Sequence, residues 1–180
     1  MQSPSADPLD LFPTWLTQLS TDTRIVASGM LEPSLTAEQR VWLASGLNYL
    51  FKSVDLIPDG VEDLGYLDDA FVLRFAVREA YVLGPFEDGV LTELARLARE
   101  AESVTEFLGA DASKLCDYVS GLRIAKVRGR SPSDIGEDEG LAREVADEAA
   151  SWAESYTAPT FLRDEKTLVK LRAFLSTKLA

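Results

Sequence analysis

The sequence predicts an all-α fold, a single bundle of about seven or eight helices. Apolar residues recur at spacings of three and four from Leu9 to Leu175. Helix start and stop signals bracket these stretches, and no useful length of chain alternates polar and apolar residues as a strand would. The chain has 180 residues, 46% of them hydrophobic, which is enough for a substantial core.

Residues 1–8 read as a flexible tail, and 9–128 as a helical core. In "LDLFPTWLTQL", Leu9, Phe12, Leu16 and Leu19 fall on one face, with Pro13 near the first turn. "STDT" offers N-cap residues, so a second helix is expected from Thr21 or Asp22. Thr36 and Gln39 form a capping-box pair ahead of Val41, Leu43, Leu47 and Leu50. A strongly apolar helix follows from Asp68, with Val72, Phe75, Ala76, Glu79 and Ala80 on one face, and Gly84-Pro85 stops it.

The next helix carries Leu91, Leu94, Leu97 and Ala98 and ends near Gly109. Its successor directs Leu115, Val119, Leu122 and Ile124 towards the core. "GRSPSDIGEDEG", residues 129–140, has the glycine, proline and serine content of an exposed linker. Residues 141–180 then form a C-terminal helical hairpin around Pro159, packed on the core. Its stripes are Leu141, Val145, Ala149 and Trp152, then Leu168, Leu171 and Leu175. The 86–127 helices are the expected surface for them.

Charge and composition narrow the function. A net charge of −12 repels phosphates and anionic lipid, which argues against nucleic-acid binding. Cys116 stands alone, so no internal disulfide forms, and the expected compartment is the cytoplasm. The absence of histidine excludes Ser-His and Cys-His triads within this chain and any histidine metal site. "MQSPSADPLD" lacks the pattern of a secretory signal, and "AFVLRFAV" is broken by Arg74, so no membrane span is expected.

The stretch "SVDLIPDGVEDLGYLDDA", residues 53–70, holds six carboxylates among apolar residues. Capping and turn chemistry account for much of it. Asp59-Gly60 is a turn signal, Asp68 suits an N-cap, and Asp69 suits a first helical turn. Leu56, Ile57, Leu64 and Leu67 would anchor the loop on the core.

A second reading is a metal site. Asp55, Asp59, Asp68 and Asp69 could converge if the loop doubles back, with Asn48 and Tyr49 completing the pocket. Carboxylates without histidine or cysteine suit Mg²⁺, Ca²⁺ or Mn²⁺. No cofactor is needed if the aspartates serve as caps. A basic cluster, Arg123, Lys126, Arg128 and Arg130, reads either as cations at a helix C-terminus or as a docking patch for an acidic partner.

"YLFKSVDLIPDGVEDLGYLDDAFVL", residues 49–73, resembles the core motif of the YkvA-like domain family, a bacterial family without an assigned function. The match lies at Asp55, Leu56, Ile57, Pro58 and Asp59, and at Leu64, Gly65, Leu67, Asp68, Asp69 and Ala70. Ser53 and Val54 depart from the family's proline and isoleucine. The resemblance implies a helical fold and no reaction.

The expected function is therefore a non-catalytic interaction or scaffold module whose partner is another protein or a second copy. The alternatives are a carboxylate-metal enzyme acting on an anionic small molecule, and an acidic decoy for a basic protein site.

Overall fold

Helix α1, Pro8–Met30, runs unbroken through both Pro13 and the "STDT" sequence. It occurs in a computed structural model that describes residues 6–52, 55–58, 60–61, 64–86 and 89–180. Asp7 caps α1, accepting from the Leu9 N–H at 3.0 Å. The second helix expected at Thr21 or Asp22 does not begin there. Asp22 lies mid-helix and fully buried, because its carboxylate has found a cationic partner on another helix.

Seven further α-helices follow: α2 (Ala37–Tyr49), α3 (Leu67–Leu83), α4 (Val90–Leu108), α5 (Ala112–Gly121), α6 (Pro132–Glu137), α7 (Glu139–Ser155) and α8 (Glu165–Leu179). Short 3₁₀ turns flank α5 at Gly109–Asp111 and Leu122–Ile124. No strand is present among the described residues; Val127 and Arg130 form an isolated antiparallel bridge. The all-α expectation holds.

Helix α3 is the centre of the bundle. Residues Leu67–Val77 are all buried, which matches its near-continuous apolar sequence. It packs between α2 and α4, and α1 crosses all three. Gly46 of α2 is required by that packing, because a Cβ there would lie 3.2 Å from the Ala76 Cβ and 3.4 Å from the Leu73 Cα. Phe12 sits at the core's aromatic centre, edge-on to Phe71 at 5.1 Å and to Phe107 at 5.0 Å. The Thr36–Gln39 capping box forms as expected. Gln39 also donates to the carbonyls of Ala80 and Gly84, satisfying the last turn of α3 from the start of α2.

The segment 129–140 is not an exposed linker. Ser131 and Asp134 form a capping box, Pro132 occupies the first helical position, and the resulting α6 packs on α2. Arg130, Ser131, Pro132, Ile135 and Gly136 are buried. The helices α7 and α8 are both present, but their stripes face the core rather than each other. Ala142, Val145, Ala146, Ala149 and Ala153 lay α7 along α1, not on the 86–127 helices. By contrast, α8 does meet that region: it touches α5, and Arg172 stacks over the Phe107 ring at 4.3 Å. Ile124, expected in the core, is 78% exposed because the chain leaves the helical path there.

Docking of α6 makes a measurable demand on Gly136. A Cβ there would meet Val41 Cγ2 at 2.4 Å and the Ala37 carbonyl oxygen at 3.1 Å. Neither a β-branched side chain nor a helix backbone yields easily. Gly136→Ala should cost about 1–3 kcal/mol in chemical denaturation, despite alanine's better helix propensity. A neutral or stabilising result would mean that α6 is not seated on α2.

Candidate functional site

The acidic stretch connects α2 to α3, and one buried hydrogen-bonded strut sets its path. Tyr49, in the last turn of α2, accepts from the Leu56 N–H at 2.8 Å through its hydroxyl oxygen. The same hydroxyl donates to Asp68 Oδ2 at 2.5 Å. Asp68 Oδ2 accepts in turn from the Ile57 N–H at 3.1 Å. Two loop amides that water cannot reach are thus satisfied by one phenol and one carboxylate. Leu56, Ile57, Leu64 and Leu67 are buried around them, as the anchoring argument requires.

Asp68 is therefore not the N-cap of α3. The helix begins at Leu67, after Tyr66 takes a left-handed conformation at φ 68°, and Asp68 falls inside its first turn, facing inward. Burial first, then the charge and hydrogen bond of Asp68, push the Tyr49 phenol far above its usual pKa. It stays protonated as a donor and cannot act as a base. Asp69 is buried beside it and Asp55 is half-buried at the loop's start, while Asp59 lies outside the described residues. The loop does double back, bringing the 55–57 backbone to Asp68. Among the described residues, no group of three or more acidic or cysteine side chains is placed to hold a metal ion.

Asn48 and Tyr49 serve different neighbours. Asn48 Nδ2 donates to the Arg130 carbonyl at 3.3 Å, tying α2 to the start of the α6 segment. The four cations of the basic cluster do not form one patch. Arg123 stacks over Trp42 at 4.5 Å and donates to Ser120. Lys126 is exposed. Arg128 lies over the Phe51 ring at 4.5 Å and donates to Glu148 at 3.1 Å. The Arg130 side chain is only 8% exposed and is paired with Glu148 and Glu144. Those arginine hydrogen bonds hold the Glu148 carboxyl below its usual pKa.

Sequence reasoning missed the largest charged assembly in the fold. Arg74, fully buried on α3, pairs with Asp22 of α1 at 2.9 Å and with Glu100 of α4 at 2.8 Å. Arg96 closes the ring, reaching Asp22 at 2.8 Å and Glu100 at 2.9 Å. Arg74 also donates to the Ala70 carbonyl and lies over the Trp15 ring at 4.1 Å. Burial draws the Arg74 pKa down against the pull of Asp22 and Glu100. Burial opposes the Arg96 charge too, but hydrogen bonds to Asp22 and Glu93 outweigh it and hold this guanidinium above the usual arginine value. The one available signal was an arginine inside an apolar run, which needs carboxylates somewhere; their positions were not readable. No nucleophile joins the ring. The Cys116 thiol is pushed upward by burial and by Glu79, which leaves it a poor nucleophile at neutral pH.

With this geometry in view, the comparison with known families becomes informative. Residues 39–75 match a family model described as a protein of unknown function (DUF1232). The match covers well under half of the chain, and it opens at Gln39 and closes at Phe75. It therefore contains the capping glutamine, Tyr49, Asp68 and Arg74. No curated protein and no solved structure matches the chain.

Two substitutions test these struts. Tyr49→Phe keeps the ring but leaves the Leu56 N–H without its acceptor and removes the hydroxyl donor to Asp68, so a loss of about 1–3 kcal/mol is expected in urea unfolding. A loss below a few tenths would mean that the phenol does not hold the loop. Arg74→Met preserves the volume, removes the buried partner of Asp22 and Glu100 and leaves both carboxylates to Arg96 alone, so it should cost about 3–5 kcal/mol in the same assay. A stabilised Arg74→Met protein would show instead that desolvation outweighs the ring's attraction.

Proposed function

We propose that this chain is a non-catalytic helical interaction module acting in the cytoplasm, with residues 49–73 as a YkvA-like structural motif. The observation that carries the reading is the use of Asp68. Its carboxylate, the best-buried acid among the described residues of the motif, is engaged by the Tyr49 hydroxyl and the Ile57 amide and serves the path of the loop. Tyr49 is locked as a donor by the same contact. The match over 39–75 to a domain of unknown function supports a shared structural motif, since it contains this strut with most of α2 and the first half of α3. A high negative charge and surface grooves suit recognition of another protein more than turnover of an anionic small molecule. In addition, no helix of the described residues is long and apolar enough to cross a membrane.

The competing metal-dependent reading makes a different thermal prediction. A cation at about 100 times its dissociation constant adds about 2.7 kcal/mol, or about 5–10 °C in a protein of this size. Millimolar Mg²⁺, Ca²⁺ or Mn²⁺ should leave the melting temperature unchanged. A rise of that order, abolished by Asp69→Asn, would replace the module reading with a metal site in the motif loop.

A further inference from the structure

Two non-glycine residues among those described have positive φ, Tyr66 at 68° and Arg128 at 53°, and both border the same surface. Tyr66 meets the rings of Trp152 and Tyr156 edge-on, at 6.2 Å and 5.2 Å. Arg128, followed by Gly129 at φ 80°, is turned over the Phe51 ring. Between these points lies a groove of about 460 Å³, with Phe51 and Trp152 supplying its aromatic surface and Glu144, Asp147 and Glu148 its carboxylates. Arg128 occupies it. The left-handed conformation is unfavourable for an arginine, and the contacts of its side chain with Phe51 and Glu148 offset that strain.

The charges of the groove are unbalanced. Arg130, more than nine-tenths buried, reaches Glu148 and Glu144 from the interior, and its Nε has no hydrogen-bond partner. With Arg128 in place, three carboxylates face two guanidinium groups. With Arg128 swung out, they face one. The Arg128 side chain is 54% exposed, so its ion pair with Glu148 is screened by water and easily exchanged. The groove follows α7 from Glu144 to Ser155, a rise of about 16 Å, which matches about five residues of extended chain.

We propose that this groove binds an extended, arginine-bearing segment of a partner protein, whose guanidinium takes the seat of Arg128 between Phe51 and the α7 carboxylates. Arg128 is then an internal stand-in that offsets the charge of the groove while it is empty. Guanidinium is favoured over ammonium because it stacks flat on an aromatic face while donating in its own plane to carboxylates. The proposal rests on the module reading and supplies the chemistry of its partner.

The test is titration of the full-length chain with a short capped peptide carrying one central arginine, beside its citrulline and glutamate counterparts. The readout is the indole N–H resonance of Trp152, assigned by Trp152→Phe. The arginine peptide should move that resonance and the citrulline and glutamate peptides should not. Arg128→Gly relieves the positive φ and empties the seat, so it should bind the arginine peptide about tenfold tighter, the worth of one such stacked cation. Asp147→Asn, on the exposed face of α7, should weaken binding in either background. Equal response to the citrulline peptide, or no tightening in Arg128→Gly, would overturn the proposal. That failure, with melting still indifferent to divalent cations, would leave the module reading standing and remove this groove as its site.

Discussion

A charge that cannot reach water governs this bundle. Arg74 projects from the most buried helix, and a lone guanidinium there would destabilise the fold by several kcal/mol. Two carboxylates must therefore come to it, and each sits on a different helix. Asp22 brings α1 and Glu100 brings α4, so one cation selects the register of three helices at once. Apolar packing alone would allow α1 to slide or rotate by a turn at modest cost. The ring of Asp22, Arg74, Arg96 and Glu100 does not, because every shift leaves an ion unpaired in the interior.

The Tyr49–Asp68 strut performs a similar task for the connection between α2 and α3. These helices are packed closely enough to require Gly46, and the chain between them must leave one and enter the other without regular hydrogen bonding. A phenol and a carboxylate supply the missing acceptors, and the loop's leucines and isoleucine fill the space around them. The aspartates of the motif are thus distributed by role. Asp68 is a buried acceptor of the Tyr49 hydroxyl and the Ile57 amide, and Asp69 lies buried in the first turn of α3.

Features that depend on near neighbours were legible in the sequence. The Thr36–Gln39 box, the apolar run of α3 and the stop at Gly84-Pro85 each involve residues a few positions apart, and each stands as read. Features that depend on distant partners were not. "STDT" carries the same cap signal whether Asp22 starts a helix or pairs with Arg74, 52 positions away. Asp68 looks like an N-cap until Tyr66 turns left-handed and takes the cap position two residues earlier. The basic cluster suggested one patch, but Arg123 turns to Trp42 while Arg128 and Arg130 converge on Glu148. In 129–140 a signal was present and outweighed: Ser131, Pro132 and Asp134 spell a helix start inside a composition that resembles a linker.

The seating of α7 on α1 has a consequence for how the chain comes to be folded. The Tyr156 hydroxyl donates to the Leu16 carbonyl across 140 positions, and Arg163 reaches Asp10 across 153. During synthesis α1 emerges before α2 to α7, yet the side that α7 covers has nothing to rest on until α7 has been made. Closing so long a loop is entropically slow compared with pairing α2 with α3, which are sequence neighbours. The 37–108 helices can therefore condense early around the Tyr49 strut, while α1 waits with part of its surface open. A helix made before its neighbours is thus among the last to be finished, and in that interval its open side is available to a chaperone or a protease.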